Sequence, residues 1–330
     1  MKTKRTSLND IAKALSVSKA TVSFVLNDKG DQFNISKKKQ ELIRSKAKEL
    51  SYVPNFFAKS LRQGSTKTIG LVLPDISNPF YGELCKTIQQ TLFDAGYSTY
   101  IINSNDDKEQ ETTLMRGLIQ RCIDGMIIVP SNDIKEIIPV LHETHIPVVF
   151  TDRPGDDLTD FIGIDNKKEA EKLVNSFKNK PKKITAFASE ELDANLKLRI
   201  DEIQEACKKM KVNCEVITLT KNQKDSDKII QEQLKKGSDA FVSLNSRVIF
   251  KIVSSLHTLQ AKIGTDVKLI SFDDHEAFTY MSPSISAIQQ PVLDIAIQAA
   301  ERMVERLADD SLPSGKQIVL DCEFKARESH

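Results

Sequence analysis

A chain of 330 residues, 28% of them charged, with a formal net charge of only +1, is too long for one ordinary domain; at roughly 150 residues per domain two or three are expected. The near-neutral total conceals an asymmetry, because residues 1–68 carry 15 Lys/Arg against 5 Asp/Glu (+10) and residues 69–330 carry 32 against 41 (−9). No apolar run reaches the roughly 18 residues of a membrane span, the charged start lacks the apolar core of a secretory signal, and five cysteines without a CxxC pair fit neither a disulfide framework nor a zinc finger. The expectation is a cytoplasmic protein with reduced thiols, a basic head suited to nucleic acid and an acidic body with another task.

Residues 7–28, SLNDIAKALSVSKATVSFVLND, read as two short helices joined by a tight turn. Leu8, Ile11, Ala12 and Leu15 recur at helical spacing, and Ser7 with Asp10 forms a capping box. After the turn Leu15-Ser16-Val17, Ser18 caps a second helix whose inward face is Val22, Val25 and Leu26. Lys19, Ala20, Ser23 and Phe24 are left on its outer face, where small and basic side chains suit entry into a DNA major groove; an ordinary helical hairpin is the alternative. A third helix over 36–50 closes a small core with Ile43, Ala47 and Leu50. Lys37, Lys38 and Lys39 crowd its first turn, where the helix dipole disfavours positive charge and a phosphate would compensate. Pro54 then ends the helical pattern, and Asn55 caps a short helix to about Arg62 that is too short to be stable alone. The following GSTKT lacks the spacing of a phosphate loop and precedes a strand.

From residue 68 short apolar runs alternate with amphipathic helices such as 79–95 and 194–209. The runs fall at 69–73, 97–102, 125–129 and 147–150, then at 183–187, 214–219, 240–244 and 267–272. Nearly continuous apolar strands alternating with helices imply parallel sheets covered on both faces, here two groups of four strands broken near 163–166, with a ligand site at the strand C-terminal ends between two lobes. Asn78, Phe80 and Tyr81 follow the first run, and Asp152 and Arg153 the fourth. Arg199, Asn245 and Asp273 come from the second lobe, and Gln290 from a crossover. An aromatic face with amide, carboxylate and guanidinium groups suits a polyhydroxylated ligand. His142 and His145 lack a nearby third metal ligand. Without GxSxG, HExxH or a full phosphate loop, Asp273-Asp274 reads as one ligand contact plus one structural contact, so neither catalysis nor a cofactor is expected.

SxxTVSxVLN, then YVPNFFAKSL, then IGLVLPDISNPFY, in that order and spacing, resemble the LacI/GalR family of bacterial transcription regulators, over essentially the whole chain. The resemblance implies an α/β fold with an all-α three-helix helix-turn-helix head (1–53), a hinge helix and linker (54–67), and a body (68–330) of two doubly wound parallel-sheet lobes of periplasmic-binding-protein type. Lobe one would span 68–163 and 291–320, and lobe two 164–290 and 321–330. It implies a homodimer on a pseudo-palindromic double-stranded DNA operator, bound to the nucleoid when on DNA and without membrane contact. Ser18, Lys19, Ala20, Thr21, Ser23, Phe24 and Asn27 would meet DNA, together with Asn55, Ala58, Lys59 and Leu61 of the hinge, where Leu61 would wedge into the minor groove. Arg199, Asn245 and Asp273 match family effector contacts, and the effector would be a small carbohydrate relieving or modulating repression. A protein or phosphorylated-metabolite corepressor remains an alternative, as does a sugar-binding transport receptor. The ending CEFKARESH lacks leucine heptads, which favours a dimer over a tetramer. Departures from the family pattern are Phe24 in place of a polar base reader, Ser16 in place of Gly or Asn, a loop at 28–35 about three residues longer, Arg199-Ile200-Asp201-Glu202-Ile203 for RxxGF, and Lys221 where relatives often place a pocket aromatic.

Overall fold

Apolar side chains at helical spacing set up the head. In the computed structural model, which describes residues 6–53, 64–131, 134, 136–190 and 193–330, helices α1 (Leu8–Ala14), α2 (Lys19–Leu26) and α3 (Lys37–Glu49) pack around buried Ile11, Ala12, Val22, Val25, Ile43 and Ala47. The Asp10 carboxylate accepts from the Ser7 N–H at 2.8 Å and hydroxyl at 2.7 Å, which fixes the start of α1. Ser16 turns the chain at φ +49°, a left-handed conformation that costs a residue with a β-carbon about 1–2 kcal/mol. The Ser18 hydroxyl then accepts the Thr21 N–H at 3.0 Å and starts α2. The expected short helix with Asn55, Ala58, Lys59 and Leu61 lies outside the described residues.

The loop at 28–35 is ordered by α3. Gln40, 3% exposed, donates to the Asp31 carboxylate at 2.9 Å and the Ile35 carbonyl at 2.8 Å. Gly30 passes so close that a β-carbon there would sit 2.5 Å from the Gln40 side chain. Lys37 pairs with Asp31 at 2.7 Å and Arg44 with Asp28 at 2.9 Å. One of the three lysines at the start of α3 is thus matched by a carboxylate rather than by phosphate alone.

The chain divides between Thr66 and Lys67 into two compact units. In the second, strands β1 (Thr68–Leu73), β2 (Ser98–Asn103), β3 (Gly125–Ile128), β4 (Val148–Thr151), β5 (Asp160–Ile164) and β11 (Gln317–Leu320) form one parallel sheet in the order β11-β5-β4-β3-β1-β2. Strands β6 (Lys183–Ser189), β7 (Asn213–Leu219), β8 (Ala240–Ser243), β9 (Lys268–Phe272), β10 (Ser286–Gln289) and β12 (Glu323–Lys325) form the other, in the order β12-β10-β9-β8-β6-β7, with β12 antiparallel to β10. Each sheet therefore has six strands where apolar runs suggested four. The additional strands include the two short edges β11 and β12, which are half-exposed and too short to stand out in the sequence.

Helices α4 (Pro79–Asp94), α5 (Lys108–Gln120), α6 (Ile138–Glu143) and α11 (Val292–Ala308) belong with the first sheet; α7 (Asn166–Asn175), α8 (Ala194–Lys209), α9 (Gln223–Lys235) and α10 (Ser246–Thr258) belong with the second. The chain crosses between sheets after β5, after β10 and after β11. Central strands β3, β5 and β8 are buried along their whole length, as a sheet covered on both faces requires. Arg302 of α11 anchors the crossover helix to β5 through a 2.8 Å bond to buried Asp160. Among the described residues no helix is long and apolar enough to cross a membrane.

Candidate functional site

Both sheets point their C-terminal strand ends into one cleft, and the order reversals β2-β1-β3 and β7-β6-β8 are the switch points at which such sheets bind ligands. All nine side chains singled out in the sequence line it: Asn78, Phe80, Tyr81, Asp152, Arg153, Arg199, Asn245, Asp273 and Gln290. Sequence reasoning missed Asp193, Asn195 and Arg247, which join them. They occupy the starts of α8 and α10, so the strand-end rule that found Asn245 would have found them had it been carried one helical turn further. Lys221 is exposed and outside the cleft lining; its N–H bonds to Glu190. The cleft encloses about 40 Å3 at its inner end and adjoins a chamber of about 530 Å3 lined by Ser77, Glu83, Phe250 and His275.

The strand ends place the chemistry. Asn78 caps α4, accepting the Phe80 N–H at 3.1 Å, which sets Phe80 edge-on to Tyr81 with ring centroids 5.2 Å apart. Asp152 follows β4 and Asp273 follows β9, equivalent positions of the two sheets, and both are held at positive φ, +62° and +77°. Such backbone strain costs about 1–3 kcal/mol per residue and persists only where its surroundings impose it. Around Asp152, Tyr81 donates to its carboxylate at 2.9 Å and Asn195 at 3.0 Å. Around Asp273, Gln290 donates at 2.6 Å and Arg199 at 3.3 Å, while the Arg199 guanidinium lies 3.8 Å over the Phe272 ring. Asp274, by contrast, points away to a two-toothed pair with Arg327, 2.7 Å on each arm.

Among the described residues, side-chain contacts of Arg153, Asn195 and Arg247 tie the lobes together. Arg153 of the first reaches Asp193 of the second at 3.2 Å, and Asn195 donates to Asp152. Arg247 of the second lies 3.5 Å from both Asp75 and Asp106 of the first. Arg153 is 2% exposed and also donates to Asp106 at 2.8 Å, to the Tyr81 hydroxyl at 3.0 Å and to the Pro130 carbonyl at 3.2 Å. Burial opposes its charge, but Tyr81, Asp193, Asp152 and Asp106 hold the guanidinium protonated above its usual range. Burial pushes Tyr81 well up and pushes Asp152 from 3.8 to about 6, even though Arg153 and Arg199 pull Asp152 down.

The raised Asp152 value predicts a pH dependence. An acid whose pKa is higher folded than unfolded binds its proton more tightly when folded, so its stabilising contribution is complete below the unfolded value and is lost as pH rises through the folded one. The parent is therefore expected to gain stability relative to Asp152→Asn as pH falls from about 6 towards 4. Urea titrations of both proteins across that window check it, and parallel curves would remove the assignment.

In the head, Lys19 and Ala20 are exposed on the first turn of α2. Ser18 and Thr21 are joined through their hydroxyls at 2.8 Å, and Asn27 folds back on the Ser23 carbonyl at 2.7 Å. Phe24 is half-buried, with one ring face covered by Phe33 of the loop; the centroids are 3.6 Å apart and the planes 8° from parallel.

Comparison with known proteins bears on both units. Residues 7–55 match the family model for bacterial regulatory proteins, lacI family, and residues 69–281 match that for a periplasmic binding protein domain. The HTH-type transcriptional regulator RegA of Clostridium saccharobutylicum is 31% identical, covering 98% of this chain and 99% of its own. The HTH-type transcriptional regulator KdgR of Bacillus subtilis is 28% identical, covering 99% and 98%. A LacI family regulator from Enterococcus faecalis, solved with bound ribose, superposes with a TM-score of 0.69 at 22% identity over 79% of this chain and 98% of its own.

Proposed function

Because the chain belongs to the lacI family of bacterial regulatory proteins and is a DNA-binding transcription regulator, we propose that it is a homodimeric repressor whose hold on its operator is set by a neutral, polyhydroxylated small molecule in the cleft between its lobes. The observation that carries this reading is the pattern of unmatched groups. Among the described residues, Arg153 Nε, Asn195 Oδ1, Asn245 Oδ1 and Gln290 Oε1 are buried polar atoms of the cleft lining with no hydrogen-bond partner on the protein. One donor and three acceptors suit hydroxyl groups, which can both donate and accept. Each left unmatched costs about 1–3 kcal/mol.

The same geometry favours a neutral ligand over a phosphorylated one. Arg153 is matched by Asp106 and Asp193, Arg199 by Asp273, and Arg247 by Asp75 and Asp106. An anion would have to compete with carboxylates already in place, at a steep desolvation cost. Phe80, half-buried at the cleft edge, supplies an apolar wall for a sugar face. The ribose held by the Enterococcus faecalis regulator supports the same class. We read the protein as a cytoplasmic regulator acting on the nucleoid and not as an enzyme.

Calorimetric titration with neutral pentoses and hexoses, their acids and their phosphates, followed by operator gel shifts with each binder, tests the proposal. A neutral sugar is expected to bind and to change operator affinity about 5- to 150-fold, the usual range of such couplings. Binding restricted to phosphorylated compounds or to a protein partner would replace it.

A further inference from the structure

The loop at 28–35 changes what the outer face of α2 presents. Phe24 lies one helical turn beyond exposed Ala20 on the outer side of α2, in the position from which a side chain would touch a base. Its ring is not presented alone, because Phe33 lies flat against it at 3.6 Å while remaining 50% exposed itself. A face-to-face stack is the less favourable arrangement of two aromatic rings, so the loop must hold it. The loop does so through the bonds from the Lys29 N–H to the Phe24 carbonyl at 2.8 Å, from the Phe33 N–H to the Lys29 carbonyl at 3.2 Å, and from the Ile35 N–H to the Gly30 carbonyl at 2.9 Å, with Gln40 gripping Asp31 and Ile35 from behind. Asp28 and Asp31, the two loop carboxylates that would repel DNA, are paired with Arg44 and Lys37 of α3.

We infer that Phe33 is a specificity-determining residue: its exposed ring meets a thymine 5-methyl group in the major groove, and Phe24 acts as the platform that positions it. Ala20, Phe24 and Phe33 form a run of apolar side chains beside the reading helix, and the thymine methyl is the apolar group that a major groove offers in return. Neither ring can hydrogen-bond to a base, so the selectivity gained is for thymine over bases lacking that methyl. The inference rests on the DNA-binding reading and is independent of which ligand fills the cleft.

The test selects an operator from a random-sequence duplex pool with the full-length parent, then replaces its thymines one at a time by uracil, which removes only the methyl group. At fixed salt the parent is expected to lose about 4-fold at one such position in a half-site, the value of one buried methyl-sized group. Phe33→Ala should bind the thymine operator as weakly as the parent binds the uracil one and should no longer distinguish them. Phe33→Leu should retain part of the discrimination. Amide exchange at Val22 and Val25 in each variant shows that the head core is intact. Undiminished thymine preference in Phe33→Ala overturns the inference, because removal of Phe33 uncovers Phe24 and would identify Phe24 as the reader. An equal loss on operator and random duplex also overturns it, since that marks a backbone contact. A parent that selects no sequence overturns the DNA-binding reading itself.

Discussion

Asp273→Ala is expected to abolish the ligand response while leaving operator binding close to that of the parent. Asp273 is the centre of the second lobe's half of the cleft, receiving Gln290 at 2.6 Å and Arg199 at 3.3 Å from a backbone held at φ +77°. Its removal leaves the Arg199 guanidinium, 6% exposed, with two neutral hydrogen-bond partners among the described residues, the Asn166 amide and the Leu244 carbonyl. It also releases the Gln290 amide whose other atom is already unmatched. Two ligand-facing groups are thus misplaced by one substitution, and a buried charged group without its partner costs more than the 1–3 kcal/mol of a neutral one. A loss of ligand affinity of at least about 100-fold follows from two such terms. Because coupling between sites is reciprocal, a ligand that no longer distinguishes the two states of the protein cannot shift operator affinity. The residue belongs to the body unit and contributes nothing to the packing of the head core, so binding to operator without ligand should change by less than about twofold. Calorimetry with the parent's sugar and gel shifts at one salt concentration decide this, and an unchanged ligand affinity would move the site elsewhere.

The parts of this molecule that were legible in the sequence are those whose environment is uniform along the chain. β3 and β8 are buried on both faces, so selection for apolar side chains is continuous and the runs stand out. The apolar stretch of β5 does not stand out in the same way, because Gly163 interrupts it and polar Asp165-Asn166 follow, although the break read there coincides with the passage of the chain to the second sheet. β11 and β12 exist through pairing with β5 and β10, more than 30 residues away in sequence at the nearest, and QIVL or EFK carries no local trace of that. In the cleft, nine lining residues were found from strand ends and resemblance, whereas Asp193 looks locally like no more than the cap of α8, which it also is, accepting the Leu196 N–H at 2.8 Å. The Phe24–Phe33 stack was illegible for a different reason: it depends on a loop path fixed by Gln40, a residue whose polar side chain gives no hint that it is buried.

Arg153→Ala is expected to cost the body about 3–5 kcal/mol near neutral pH, the usual penalty for removing one member of a buried ion pair. The cost comes from what remains. Asp152, 4% exposed, loses the positive charge that most strongly opposes its burial, and the Tyr81 hydroxyl and Pro130 carbonyl each lose a donor. Arg153→Met restores much of the volume without the charge and should recover little, whereas adding Asp152→Asn to it should recover a large part, since the unmatched carboxylate is the source of the deficit. Asp193→Asn removes the cross-lobe arm alone. Asp193 is 19% exposed and an asparagine can still cap α8, so this variant should lose no more than about 1 kcal/mol while its lobes part more readily. Acidification discriminates further. Arg153 lowers the Asp152 value, so without it that carboxyl takes up its proton above pH 6, and the deficit of Arg153→Ala should shrink as pH falls towards the parent's value of about 6 and level off below it. Denaturant unfolding of the parent and the four variants at two pH values measures all of this; a deficit below about 1 kcal/mol that is indifferent to pH would mean that water, and not Arg153, carries the Asp152 charge.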